Sequence, residues 1–200
     1  MIVHPIGMMR ANAASGLNFV DDFSSYTVGQ TLVSQNPSNY FDGGGSVIAI
    51  IADSGGTKVL RQPGGQSYTD FIGGTAASDR EVSVTLKSVG QSNYTFVYLS
   101  FIDANNFTGM FIYPTGWVGV QQKAAGANVF NQNLEGSFST GDKFTLSRVG
   151  TAVIFKRNGV QQGATFTATA AASGSVRLHM TDVASPSSFW EISQFEVKDL

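Results

Sequence analysis

Glu81-Val82-Ser83-Val84-Thr85-Leu86-Lys87 alternates polar and apolar residues without a break. Val82, Val84 and Leu86 fall on one side of an extended chain and Glu81, Ser83, Thr85 and Lys87 on the other. That is the pattern of an antiparallel strand with one face on a core and the other toward water. Ser175-Val176-Arg177-Leu178-His179-Met180-Thr181 repeats it, with Val176, Leu178 and Met180 inward and Arg177 and His179 outward. Tyr94 to Ile102 differs: Tyr94, Phe96 and Tyr98 line one side and Val97, Leu99 and Phe101 the other. A strand covered on both faces belongs in the middle of a sheet.

The intervals between such runs are rich in Gly, Asn, Asp and Ser. Asp103-Ala104-Asn105-Asn106 joins Tyr94–Ile102 to Phe107–Tyr113 as a hairpin, and Gly150 joins Phe144–Val149 to Val153–Arg157, which ends at the strong turn pair Asn158-Gly159. About ten strands result, with no helical spacing and no repeat of fixed period. In the last strand Trp190 and Ile192 share a parity that Phe195 and Val197 do not. Both pairs reach the core only if the strand bulges near Ser193-Gln194.

Composition narrows the function. The chain has 200 residues, of which 42% are apolar, enough for a real core. Charged residues make up 13%, half the usual share of about 25%. Twelve basic and 14 acidic side chains leave a net charge of -2. The lysines are scattered singly, so no basic patch exists to neutralise nucleic-acid phosphates. The longest apolar run, Val47 to Ala52, is far short of the roughly 20 residues needed for a membrane span. Cysteine is absent, which removes disulfides and thiolate metal sites.

Residues 1–18 read as an arm and linker, and residues 19–200 as one domain. Met1 to Arg10 has no periodicity, and a secretory leader fits it badly because a basic start is missing and His4, Pro5 and Arg10 interrupt any apolar run. Ile2, Val3, Ile6, Met8 and Met9 have no evident place in a β core, so the arm is expected to pack either on its own domain or, the favoured reading, on a neighbouring subunit. The partners implied are other subunits held through residues 1–16, in a homo-oligomer or a larger assembly.

Searching for chemistry returns little. Nucleophile-elbow, Ser-x-x-Lys and phosphate-loop motifs are missing, and the two histidines are too few for a histidine zinc site. Glu191-Ile192-Ser193-Gln194-Phe195-Glu196 has two carboxylates flanking a strand, yet a plainer reading is a final strand with two solvent glutamates. No catalytic residues and no resident metal are expected. Calcium is the one cofactor with candidate oxygens, at Asp103, Asn105 and Asn106 or at Asp21-Asp22. A sugar site needs an aromatic face with polar groups beside it. Tyr113 and Trp117, flanking Pro114-Thr115-Gly116, and the outward Arg177 and His179 are the candidate ligand-binding residues.

Asp21-Asp22-Phe23-Ser24, Gly29-Gln30-Thr31-Leu32, Glu81 to Val84, Gly141 to Leu146, Ile154 to Val160 and Phe195-Glu196-Val197 together resemble the concanavalin A-like lectin/glucanase superfamily, in its laminin-G-like branch. The resemblance covers about residues 19–200. It implies an all-β fold, an antiparallel two-sheet β-sandwich (jelly roll) behind an extended N-terminal arm. The segment at Glu191 is similar to the Glu-x-Asp-x-x-Glu motif of laminarinase-like glycoside hydrolases, but Ser193 stands where the motif has aspartate. The Met-rich leader before Asp-Asp-Phe is similar, more loosely, to small virion proteins of tailed bacteriophages. That likeness implies a non-enzymatic decoration, tail or fibre component at the virion surface that contacts a host surface glycan. The alternative is a secreted, extracellular carbohydrate-binding module, and a glycoside hydrolase comes third.

Overall fold

The computed structural model describes residues 16–45, 48–73, 79–90, 93–134, 136–137, 139–169, 174–182 and 188–200. The arm residues Ile2, Val3, Ile6, Met8 and Met9 lie outside the described residues. In chain order the strands are β1 (Asn18–Asp21), β2 (Tyr40–Gly45), β3 (Ile50–Ser54), β4 (Thr57–Arg61), β5 (Gly65–Phe71), β6 (Arg80–Ser88), β7 (Thr95–Asp103) and β8 (Asn106–Ile112). They continue as β9 (Val118–Ala124), β10 (Ala127–Leu134), β11 (Lys143–Val149), β12 (Ala152–Arg157), β13 (Val160–Gln161), β14 (Phe166–Thr167), β15 (Ser175–Asp182) and β16 (Glu191–Asp199). A single helical turn, α1 (Leu32–Gln35), is capped by the Thr31 hydroxyl, which accepts from the Ser34 N–H. Sixteen strands among the described residues exceed the ten expected from sequence. The surplus lies in pieces such as β13 and β14, two residues each and too short to carry a period.

Two antiparallel sheets form the sandwich. One has nine strands, ordered β13-β12-β11-β6-β16-β4-β3, with β1 on β16 and β14 on β12; the other has seven, ordered β10-β9-β8-β7-β15-β5-β2. Alternation puts Val82, Val84, Leu86, Phe144, Leu146 and Val197 of the first sheet against Val97, Leu99, Met110, Ile112, Leu178 and Met180 of the second. This contiguous apolar layer is what joins the sheets. The strand from Tyr94 is indeed the fourth of seven, and both expected hairpins form, at β7–β8 and β11–β12.

The bulge expected in the last strand is present. Pairing of β16 with β6 shifts between Ile192, opposite Leu86, and Gln194, opposite Thr85, so Ser193 is the extra residue. Trp190, Ile192, Phe195 and Val197 are consequently all buried.

A second irregularity has a larger effect. The register of β7 on β8 shifts between Tyr98 and Ser100, and that of β15 on β7 shifts between Ser175, opposite Phe101, and Arg177, opposite Tyr98. Parity alone had placed Phe101 with Val97 and Leu99. Past the shift it lies on the outer side instead, with its ring 4.8 Å from that of Tyr98. Three further residues depart from the sequence reading. Ser83 is buried on the outer face of β6, bonded to the Thr145 hydroxyl at 2.9 Å. Glu191 and His179 are both 4% exposed where solvent-facing positions were expected.

Candidate functional site

The outer face of the seven-stranded sheet carries a second apolar layer. Phe96, Tyr98, Phe107 and Phe111 form a buried cluster separate from the core, with Tyr94 and Phe101 against it. Strand pairing arranges the side chains in rows. One row runs Tyr68, His179, Phe96, Phe111, Gly119 across β5, β15, β7, β8 and β9. The next runs Asp70, Arg177, Tyr98, Gly109, Gln121. Each row spans about 19 Å at roughly 4.8 Å per strand.

Gly109 and Gly119 let the rings lie flat. A Cβ on Gly109 would run into the Phe96 ring and the Val97 carbonyl, and one on Gly119 into the Phe111 ring and the Gln132 carbonyl. Each glycine therefore serves as floor for a neighbouring ring, an arrangement in which an aromatic covers bare backbone. Phe96 and Tyr98 stack at 4.3 Å and 14°, and Phe107 meets both edge-on.

Two adjoining depressions open on this layer. The first, about 540 Å³, is lined by Tyr94, Tyr113, Trp117, Gln121, Asn131 and Asn133 among others. The second, about 360 Å³, includes Tyr68, Tyr98, Phe107, Lys123, Arg177 and His179 in its lining. Tyr94, Phe96 and Gln121 line both, so they form one continuous groove. No aspartate or glutamate lines either depression among the described residues. A third hollow of about 450 Å³ is lined by Leu86, Val89 and Pro114 together with serines and threonines such as Ser88 and Thr115, with no aromatic ring in its lining among the described residues.

All four residues singled out from sequence fall on this face, in two roles. Tyr113 and Trp117 sit at a tight turn closed by the Tyr113 N–H donating to the Trp117 carbonyl at 2.8 Å, and they are 37% and 44% exposed. Their rings are available to a ligand. Arg177 is held, its Nε and Nη2 donating to the two Asp70 oxygens at 2.5 and 2.7 Å while the guanidinium lies 4.0 Å from the Phe101 ring centroid. His179 stacks on Tyr68 at 4.1 Å and meets Tyr94 edge-on at 5.7 Å. Neither of its ring nitrogens has a hydrogen-bond partner. Burial, and secondarily the Arg177 charge, pushes its pKa down to about 4, so the ring is neutral at pH 7. Burial also raises the Tyr94 and Tyr98 phenols, which stay protonated hydrogen-bonding groups.

Sequence reasoning missed Gln121, Asn131 and Asn133, which bring amides beside Trp117. The alternation of β9 carries Gln121, but β10 has no clean period because it bulges between Asn128 and Phe130.

The other candidates are occupied by structural bonds. The Asp103 carboxylate accepts from the Asn105 N–H and the Asn106 amide, as a turn requires. Asp21 accepts from the Tyr26 and Tyr40 hydroxyls and the Phe23 N–H, and Asp22 from the Ser24 N–H. No group of three or more His, Asp or Glu suited to a metal occurs among the described residues. Glu191 is bound to Arg61 and Ser54 on the outer side of the nine-stranded sheet, and Glu196 to Lys143. The two carboxylates thus belong to separate ion pairs on opposite flanks of β16, on the sheet that lacks the groove.

No protein-family model and no curated protein matches this sequence. Solved structures do. The carbohydrate-binding module CBM66 from Bacillus subtilis superposes with a TM-score of 0.56 at 15% identity, over 81% of this chain and 96% of that one. The apo Crh5 transglycosylase gives 0.62 at 11%, over 91% and 84%. The exoplasmic/lumenal domain of VIP36, bound to Ca2+ and Man3GlcNAc, gives 0.58 at 9%, over 82% and 84%. At such identities the likeness establishes the fold: a jelly-roll sandwich, consistent with the concanavalin A-like expectation. The phage resemblance finds no support in these comparisons.

Proposed function

We propose that this protein is a non-catalytic carbohydrate-binding module whose ligand lies along the aromatic groove of the seven-stranded sheet. The observation that carries this reading is the exposed Trp117–Tyr113 pair above a floor of buried rings, with Gln121, Asn131 and Asn133 beside it. A sugar ring has an apolar face for stacking and hydroxyls for amides, and this surface offers both. That solved proteins of this fold include a carbohydrate-binding module and a VIP36 domain bound to Man3GlcNAc supports it. Glycoside hydrolysis calls on two carboxylates, and that no aspartate or glutamate among the described residues lines the groove supports binding without turnover. The VIP36 domain is a calcium-bound example of the fold, whereas the calcium candidates Asp21 and Asp103 accept hydrogen bonds from within this protein.

Affinity electrophoresis and calorimetry against a panel of polysaccharides test the reading. A bound polymer should lose roughly tenfold or more in affinity with Trp117→Ala, given the ~1.5 kcal/mol of a good ring contact, while Tm stays put. It should release no reducing ends on long incubation. Binding indifferent to both Trp117→Ala and Tyr113→Ala would remove the groove from consideration.

The finer proposal, display on a phage particle through residues 1–16, rests on the leader's composition alone. Deleting residues 2–16 should abolish incorporation into particles without changing sugar binding, and unimpaired incorporation would refute it.

A further inference from the structure

Lys123 is the only lining residue of the groove whose charge nothing balances among the described residues. It follows Gln121 on the same side of β9, opposite Phe107, and its ammonium lies 5.8 Å from the centroid of that ring. The other cation of the groove, Arg177, is neutralised by a two-pronged bond to Asp70. On the opposite sheet Lys143 is matched by Glu196 and Lys198 by Glu81, and Lys58 donates to the Ser24 and Tyr26 carbonyls, whereas Lys87 and Lys156 have no ion pair among the described residues. Lys123 thus stands over a half-dry aromatic surface with no carboxylate in the lining to answer it. Low local dielectric makes such a charge count for more than one in open water.

We propose that the second depression receives an anionic sugar, one bearing a carboxylate or a sulfate, with its ring against the Phe101–Phe107 side of the layer and its charge on Lys123. This rests on the carbohydrate-binding reading and specifies its ligand. Trp117 and Lys123 are six residues apart along β9, on the order of 20 Å at ~3.4 Å per residue. A ligand engaging both is therefore an oligosaccharide. Trp117 with its amides takes an uncharged ring, and the Lys123 end takes the charged one.

The test is calorimetry on the full chain with three probes: a polygalacturonate, a sulfated galactan and a neutral β-glucan, each at low and high salt. One anionic polymer should bind at least about tenfold more tightly than the glucan at low salt. Lys123→Gln should abolish most of that advantage, bringing the anionic polymer close to the affinity of the glucan. Which polymer responds to Lys123→Gln identifies carboxylate or sulfate. Equal affinity for neutral and anionic polymers, or a preference that persists in Lys123→Gln, overturns the proposal while leaving carbohydrate binding intact. Anionic binding unaltered by Trp117→Ala is diffuse charge attraction and overturns it as well. Should none of the three bind, this inference falls, while the carbohydrate reading itself is decided by the wider polysaccharide panel and the Trp117→Ala and Tyr113→Ala variants.

Discussion

The outward faces of the two sheets are made from the same alternating strands but finished differently. On the nine-stranded sheet, hydroxyls bond to one another, as Ser83 does to Thr145, and glutamates are paired, as in Arg61–Glu191, Lys143–Glu196 and Lys198–Glu81. On the seven-stranded sheet the corresponding positions carry aromatic rings laid over glycines, a neutral buried histidine and an unmatched lysine. One face is finished mainly in hydroxyls and ion pairs. The other keeps exposed aromatic area at Tyr113 and Trp117 and the unmatched Lys123, above an enclosed His179 with no hydrogen-bond partner, the kind of surface that marks a binding site.

The sharpest way to break this contrast uses His179. Its folded pKa lies near 4 and the ordinary value is 6.5, so between these limits the unfolded chain binds the extra proton. Stability is whole above pH 6.5, falls as the pH drops and levels off below about 4, with a maximal loss near 3 kcal/mol. The Tyr94 and Tyr98 phenols beside the imidazole, raised by burial, stay neutral throughout that window. The His179→Phe variant should flatten the wild-type slope of urea-derived stability against pH; equal slopes would mean that the imidazole is not enclosed.

Gly109→Val comes next. Forcing a branched side chain beneath Phe96 should cost about 2 kcal/mol, seen as a lower urea midpoint, and should weaken glycan binding because the floor buckles. An unchanged midpoint would mean that the ring layer is loosely stacked. The smallest effect belongs to the other face. Thr145→Val deletes one hydroxyl bond to Ser83 and should lower stability by about 1 kcal/mol, with glycan affinity untouched.

Much of the architecture was legible because period-two alternation and turn residues are local signals. The parity clash between Trp190 and Val197 even located the bulge at Ser193. Parity failed at Phe101, since the shift that moves it out is fixed by how β7 meets β8 and β15. His179 looked solvated for a similar reason. Its cover comes from Tyr68, Tyr94 and Tyr98 on two neighbouring strands, and nothing in Arg177-Leu178-His179 announces them. Tyr113 and Trp117 could be recognised from their turn, but their sharing a surface with Arg177 and His179 follows from β15 lying next to β7, which is a property of the whole sheet.

The strand β1 lies beside β16, and Leu17 exchanges backbone and carboxylate bonds with Asp199. Residues 16 to 18 and 198 to 200 thus meet on the sheet opposite the rings. A fluorophore or bead joined at residues 198 to 200 would stand on the sheet away from Trp117, leaving the proposed groove turned toward the medium.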